Sequence, residues 1–334
     1  MNSRHLLCLI AITVAFSGSL IWAADVKITI QEWDVSAGAH PHDPEAGPDG
    51  FIWYTGQYHN VIGRVDPKTG KNEEFPLKTP NSGPHGLVLD KDGNVWYTGN
   101  SAGLIGKLNP KTREVTEYKM PNPQARDPHT PLFDTKGILW FTVQQGNMIG
   151  KLDPKTGAIT LKDSLTANSR PYGLVIDSKG MLWYCMFNSN KLASINPDTF
   201  EIKEYVLPNS GARPRRLAVA ADDRVYYADY ARGYLGRLDP KTGSVDEWPS
   251  PGGARSQPYG IAASPNGMIW YSETGVQPNT LVGFDPKDNS FVKTAVPSGG
   301  GVLRHIVYRY GKLWIASSGV HKVGIVEFVP SQGD

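Results

Sequence analysis

The sequence predicts an all-β protein, a seven-bladed β-propeller with four antiparallel strands in each blade. Three features carry this prediction. An aromatic residue recurs at a constant spacing, each copy of the repeat contains four short strand-like segments, and an N-terminal segment fits the fourth strand that the last copy lacks.

The repeat is marked by one aromatic residue near the middle of each copy, and the spacing is 43 or 44 residues throughout. These residues are Trp53, Trp96, Trp140, Trp183, Tyr226, Trp270 and Trp314. A four-stranded unit of this length is typical of propeller blades. Seven copies account for the chain after its first 23 residues, so we expect a single domain over residues 24–334.

Each copy reads as short segments rich in β-branched and aromatic residues, separated by Gly, Pro, Asp and Asn. The Asp-Pro-Lys-Thr-Gly stretches at Asp66–Gly70, Asp153–Gly157 and Asp239–Gly243 are expected to form hairpin turns, since Pro presets φ and Gly accepts the left-handed conformation. The glycines that follow residues such as Ile62 and Ile105 are expected where two groups approach closely. No segment has a sustained helical period.

The last copy runs from Arg304 to Phe328 and has no clear fourth strand. Residues 28–35 contain Glu32-Trp33, which matches the fourth-strand pair Glu247-Trp248. We therefore expect the N-terminal strand to complete the last blade and to cover its edge.

Residues 1–23 have the pattern of an export signal: Arg4, an apolar run from Leu6 to Phe16, and Ala23 before the cleavage point. The mature protein is expected to be periplasmic or secreted, monomeric and detached from the membrane. Only Cys185 remains after cleavage, so no intramolecular disulfide is expected. The formal net charge of +2 with no basic run disfavours nucleic acid as a partner.

The candidate site is a ring at one mouth of the central channel, formed by the second residue of each innermost strand. Its expected members are His42, His85, His129, Tyr172, Arg215, Tyr259 and His305. The four histidines lie on neighbouring blades, and a neutral imidazole is both a base and a ligand for Zn, Fe or Cu. His42, His85, His129 and His305 are therefore the candidate metal ligands.

A second set of positions, after the strand that carries the repeated aromatic residue, contains two carboxylates. These are Asp229 on blade five and Glu273 on blade six, and they are candidate ion partners of Arg215 or Arg216. Tyr172, Arg216, Asp229 and Glu273 are the candidate substrate-binding residues.

Three recurring strings, exemplified by Pro171-Tyr172-Gly173, Asp177 to Tyr184 and Ile149 to Leu152, resemble those of the streptogramin B lyase (virginiamycin B lyase) family along essentially the whole mature chain. The resemblance implies a propeller that opens a cyclic depsipeptide by elimination. It implies a last-blade His as base, here His305, and a Mg²⁺ ion held by acids that polarises the ester carbonyl. Three positions depart from the family pattern: Leu303 replaces a Glu, Ser317-Ser318 replace an acid, and Tyr259 replaces a substrate-contacting His.

These observations leave three functions open. The first is a metal-assisted lyase that acts on an ester or related carbonyl compound, a small molecule or cyclic peptide, at the channel mouth; His305 is its base, Arg215 stabilises negative charge and Tyr259 assists. The second is a non-catalytic propeller that binds a peptide, glycan or protein. The third is a His-ligated transition-metal oxygenase or redox protein. A propeller fold alone does not separate them.

Overall fold

A computed structural model describes residues 26–330 and confirms the seven-bladed propeller. Those residues form seven four-stranded antiparallel sheets arranged in a ring, and the described part contains one helical turn, a 3₁₀ helix at Ser318–Val320. Between residues 26 and 330, no helix is both long and apolar enough to cross a membrane. The predicted export signal, residues 1–23, lies outside the described residues.

The strands are numbered along the chain, and the N-terminal strand is β1 (Val26–Asp34). Blades one to three are β2 (Pro41–Ala46), β3 (Ile52–Gly56), β4 (Val61–Val65), β5 (Asn72–Pro76); β6 (Pro84–Leu89), β7 (Val95–Gly99), β8 (Leu104–Leu108), β9 (Val115–Lys119); and β10 (Pro128–Phe133), β11 (Leu139–Val143), β12 (Met148–Leu152), β13 (Ile159–Asp163). Blades four to six are β14 (Pro171–Ile176), β15 (Leu182–Met186), β16 (Lys191–Ile195), β17 (Ile202–Val206); β18 (Pro214–Val219), β19 (Val225–Asp229), β20 (Tyr234–Leu238), β21 (Val245–Pro249); and β22 (Pro258–Ala263), β23 (Ile269–Glu273), β24 (Thr280–Asp285), β25 (Ser290–Ala295). Blade seven contains β26 (Leu303–Arg309), β27 (Lys312–Ser317), β28 (Lys322–Pro330) and β1, in that order.

The repeated Asp-x-x-Gly turn joins the first two strands of a blade and anchors the repeated tryptophan. In blade two, Asp90 accepts hydrogen bonds from the backbone amides of Asp92 and Asn94, and its other oxygen accepts one from Trp96 Nε1 at 2.8 Å. The indole donor is thereby satisfied although Trp96 is 1% exposed. Blades three and four repeat the contact, with Asp134 to Trp140 and Asp177 to Trp183.

Close approach at the repeated glycines is confirmed, for example at Gly106 in the middle of β8. A Cβ atom there would lie 2.0 Å from Cζ of Tyr97, whose ring covers the glycine from the neighbouring strand. Tyr97 is fully buried, and its hydroxyl donates to Glu117 on the fourth strand. The glycine therefore makes room for the aromatic layer between blades.

The N-terminal strand closes the ring, as predicted. β1 pairs with β28 along its whole length, from Val26 opposite Pro330 to Asp34 opposite Lys322. Glu32 accepts hydrogen bonds from the backbone amide and hydroxyl of Ser298 and from the hydroxyl of Ser317. This strand therefore completes blade seven and also ties it to the loop that leaves blade six.

The innermost strand of every blade is irregular at the same place. In β6, Pro84 pairs with Gly99 and Leu87 with Tyr97, and the register shifts between them; the six other innermost strands behave alike. Such an irregularity re-aims the side chains within it, and here these are the second and third residues of the strand. Thr98 stabilises this irregular part of β6. Its hydroxyl accepts a hydrogen bond from the Gly86 amide and donates one to the carbonyl of His129 on the next blade.

Candidate functional site at the upper mouth of the channel

The upper mouth is the end of the channel at which the innermost strands begin, and a row of rings lies there, each tilted by 41–49° to the next. The ring centroids are 3.6 Å apart for His42 and His85, 3.9 Å for His85 and His129, and 3.8 Å for His129 and Tyr172. The three histidines are between 2% and 5% exposed. Three of the four candidate histidines therefore lie next to one another, with their rings in contact.

The predicted place of His305 in this ring is wrong by one position. In β26, Leu303 pairs with Ser317 and Ile306 pairs with Ile315. The equivalent pairs in β6 are Pro84 with Gly99 and Leu87 with Tyr97, so Leu303 occupies the first position of its strand and Ile306 the fourth. Arg304 is therefore the second residue of its strand and His305 the third. The turn after β26 is one residue shorter than in the other blades, so the spacing to Trp314 differs there. The upper ring consists of His42, His85, His129, Tyr172, Arg215, Tyr259 and Arg304.

Below the upper ring, an ion pair crosses the channel. Arg216 of blade five donates from one terminal nitrogen to both carboxylate oxygens of Asp43 on blade one, at 2.9 and 3.1 Å, and both side chains are 2% exposed. Asp43 also accepts a hydrogen bond from His42 Nδ1 at 2.8 Å. Burial by itself would raise the pKa of Asp43, but Arg216, His305 and His42 outweigh it and hold that pKa well below its usual value.

The histidines of the channel are neutral at pH 7. Burial lowers the pKa of His42 to about 4, although the adjacent Asp43 works in the opposite direction. Burial is also the main cause that lowers the pKa of His305 to about 3 and those of His85 and His129 well below the ordinary value. Since ionised Asp43 accepts from Nδ1 of His42, the proton of that neutral ring is on Nδ1 and the lone pair on Nε2.

Arg215 lies inside an aromatic cage. Its Cζ atom is 3.7 Å from the ring centroid of Tyr259, 4.4 Å from Tyr230, 4.7 Å from Phe187 and 5.1 Å from Tyr172. It donates to the hydroxyl of Tyr172 at 3.3 Å, and that hydroxyl contacts the hydroxyl of Tyr259. The guanidinium predicted to stabilise charge on a substrate is thus held by cation–π contacts within the protein.

Arg304 is the other cation of the upper ring, and sequence reasoning missed it. Its Nε donates to the hydroxyl of Ser318 at 3.2 Å, and no carboxylate of the described residues lies within ion-pair distance of it. Its charge helps to lower the pKa of His40 and His42. The turn before Trp314 is one residue shorter than its equivalents, and counting back from Trp314 with this difference included gives Arg304 as the second residue of its strand.

The prediction that Asp229 and Glu273 pair with Arg215 or Arg216 is wrong. Asp229 binds Arg232 at 3.1 Å and accepts from the amides of Arg213 and Arg232. Glu273 accepts hydrogen bonds from two hydroxyls and an amide, those of Ser250, Thr280 and Gly252. Both carboxylates are at most 1% exposed and fasten the loops next to them.

A possible metal cluster is present, but its members differ from the four predicted histidines. Ligand atoms of His42, Asp43 and His85 lie within 4.8 Å of one another. Two nitrogens and one carboxylate suit a zinc-like ion. They do not suit Mg²⁺, which prefers oxygen ligands, because the single carboxylate already binds Arg216.

Comparisons with known proteins agree on the fold. A family model described as the virginiamycin B lyase family matches residues 12–280 and 167–329. A search of curated proteins finds no match to the sequence.

Three of the similar solved structures are described as virginiamycin B or streptogramin B lyases. A virginiamycin B lyase from Staphylococcus aureus has a TM-score of 0.83 and 24% identity, covering 91% of this chain and 100% of that one. A structure described as a streptogramin B lyase has a TM-score of 0.81 and 26% identity, covering 90% and 98%. A catalytically inactive histidine-to-alanine variant of the S. aureus enzyme, with quinupristin, has a TM-score of 0.82 and 23% identity, covering 91% and 100%.

Proposed function

The chain belongs to the virginiamycin B lyase family, and from this premise we propose that it is a lyase acting on an ester-containing small molecule or cyclic peptide at the upper mouth, with His42 as its base. The observation that carries the proposal is the hydrogen bond from His42 Nδ1 to Asp43, which is itself fixed by Arg216. A base whose second nitrogen is held by a carboxylate is oriented and keeps its free lone pair.

The proposed reaction is an elimination. His42 Nε2 takes a proton from the carbon between a carbonyl group and the carbon that bears the ester oxygen. The electrons of that C–H bond form a C=C bond, the C–O bond breaks, and the carboxylate leaves. Because no water is consumed, a cyclic substrate becomes a linear isomer of the same mass.

Arg304 is the group proposed to stabilise the negative charge that develops on the carbonyl oxygen. It precedes His42 around the upper ring, since blades seven and one are neighbours, and it has no carboxylate partner among residues 26–330. A guanidinium without a counter-ion supports such a role, since its charge is available to a substrate. Arg215, enclosed by four aromatic rings, is assigned to the support of the upper ring instead.

The test uses quinupristin, which is the compound present with the S. aureus variant. The purified protein should convert it to a product of unchanged mass, detected by mass spectrometry. His42→Gln should reduce kcat/KM by about 100-fold or more, the usual contribution of a general base, and Arg304→Met should also reduce it. His59→Gln, at an exposed histidine outside the ring, is the matched control and should retain activity.

A product heavier by one water would mean hydrolysis, and full activity of His42→Gln would remove the proposed base. No turnover of any ester, together with binding of the intact compound, would favour the second candidate, a non-catalytic binding propeller. The burial of His42, His85 and His129 is the observation that supports that candidate.

Metal binding at His42, Asp43 and His85 is a further candidate property. Such a site would use the lone pairs that the low histidine pKa values leave free. Elemental analysis of the purified protein before and after chelator, beside His85→Gln, tests it. Equal metal content in both proteins would exclude the site.

We also propose that the protein is exported. The support is the pattern of residues 1–23 described above. N-terminal sequencing of the mature protein from periplasm or medium should begin at or near Ala24, and an intact Met1 on a membrane-bound product would contradict export.

A further inference from the structure

The lower half of the channel is a cavity of about 240 Å³, on the other side of the Asp43–Arg216 pair from the upper ring. Its wall is formed by the second halves of the innermost strands and is mixed, with aliphatic side chains beside the polar residues Glu45, Thr130, His305 and Arg309. The fourth residue of five innermost strands lies in this wall: Leu87, Leu174, Leu217, Ile261 and Ile306. This compartment is not part of the site proposed above.

One residue of this wall breaks the sevenfold pattern. Six blades have an apolar residue at the fifth position of the innermost strand: Val88, Leu132, Val175, Ala218, Ala262 and Val307. Blade one has Glu45 there, a residue that lines the cavity and is 6% exposed. A buried carboxyl among apolar groups costs free energy unless it is paired.

The partners of Glu45 within the protein are weak. Oε1 accepts the Ala46 amide at 2.9 Å, and the same oxygen lies 3.7 Å from Nε of Arg309, whose side chain is 54% exposed. Oε2 has no hydrogen-bond partner within residues 26–330. A pair with one partner so exposed is weak, so Arg309 is an incomplete partner for this carboxyl.

This oxygen is not among the enclosed polar atoms of residues 26–330, so it is open to the cavity and can accept a hydrogen bond from a donor outside the chain. A cation that enters the cavity supplies the partner that this oxygen lacks within residues 26–330. The volume sets the size of such a molecule, because a cavity of about 150 Å³ holds benzene. One ring or a short alkyl chain with an amine fits the space.

We propose that the lower cavity is a second binding site that takes a small apolar amine, with the ammonium group on Glu45 Oε2 and the hydrocarbon part against the aliphatic side chains of the wall. The site is independent of the lyase function proposed for the upper ring. Its two recognition elements are the carboxyl of Glu45 and the aliphatic side chains of the other blades.

The probe is phenethylamine, and binding to the full mature protein is measured by isothermal titration calorimetry. Glu45→Gln keeps the shape of the side chain but removes its charge, and it should weaken binding at least tenfold. Glu327→Gln removes an exposed carboxylate of β28 and should leave the affinity unchanged. The neutral analogue 2-phenylethanol should bind more weakly than the amine, and the anionic 3-phenylpropionate should not bind.

Ala262→Leu, which places a larger side chain in the wall, should also abolish binding if thermal melting shows that it folds. His42→Gln should not change the affinity, which separates this site from the upper ring. Equal affinity of Glu45→Gln and wild type, binding of 3-phenylpropionate as tight as that of the amine, or absence of measurable amine binding would each overturn the proposal.

Discussion

The ion pair between Arg216 and Asp43 allows a sharp test of how the channel is held together. We predict that Arg216→Met reduces the free energy of unfolding by about 3–5 kcal/mol at pH 7, the usual cost of removing one partner of a buried pair. Both side chains are 2% exposed, so Asp43 would remain buried without its charged partner. Arg237→Met is the control, since Arg237 pairs with the half-exposed Asp246 and should lose only about 0–1 kcal/mol.

The pH dependence provides a second signature of the same pair. In the wild type, Arg216 keeps the folded-state pKa of Asp43 below the unfolded value, so its stabilisation is complete above that value and does not change between pH 7 and 5. In Arg216→Met, burial raises the folded-state pKa above the unfolded value. The variant should therefore recover stability as the pH falls, by at most about 2.7 kcal/mol between pH 7 and 5.

The assay is urea unfolding followed by tryptophan fluorescence, on chelator-treated protein at pH 7 and pH 5. The double variant Asp43→Asn with Arg216→Met should be more stable than Arg216→Met at pH 7, because no unpaired charge remains buried. A loss of less than about 1 kcal/mol in Arg216→Met would refute the reasoning. So would a double variant that is no more stable than the single one.

Three further predictions concern the base, the closing strand and the aromatic layer. Burial lowers the pKa of His42 to about 4, so kcat/KM should stay constant as the pH falls from 8 to about 5 and decrease only near pH 4. A decrease near pH 6.5 would contradict a buried base. Glu32→Ala removes three hydrogen bonds to a carboxylate and should reduce the free energy of unfolding in urea by about 2–4 kcal/mol. The control Glu327→Ala, at an exposed residue, should reduce it by less than about 1 kcal/mol. Equal losses would mean that Glu32 does not hold blade seven to the neighbouring loop. Gly106→Ala should lower the melting temperature through its clash with Tyr97, at a cost of about 1–3 kcal/mol, and an unchanged melting curve would argue against the close packing.

The fold was predictable because it depends on features that the repeat displays seven times. The spacing of residues such as Trp96 and Trp140 gives the blade count, and Glu32-Trp33 shows which blade the N-terminal strand completes. The role of Thr98 was not predictable in the same way. It is part of the repeat, but the carbonyl that it binds lies on the neighbouring blade, so only the three-dimensional structure identifies it.

The site was only partly predictable, because its chemistry depends on the positions at which the blades differ. The convergence of His42, His85 and His129 follows from equal places on equivalent strands. The partner of Arg216 does not, since Asp43 lies on a blade nearly opposite and is far away in the sequence. Arg304 was missed because the adjacent His305 resembles the histidines of the other blades, whereas only the strand pairing determines which of the two belongs to the upper ring.

The pairing of β1 with β28 also sets the order in which the molecule can be assembled. Trp33 is among the first residues of the fold to be synthesised, yet its partner Val323 is among the last. Until β28 arrives, β1 is a strand without a sheet, and the first six blades form an open arc with an exposed face at each end. Contacts between such distant segments slow folding, and unpaired edges favour aggregation. A chain in which β1 is moved behind β28 would complete blade seven from consecutive strands, so its refolding should be faster while its finished structure stays the same.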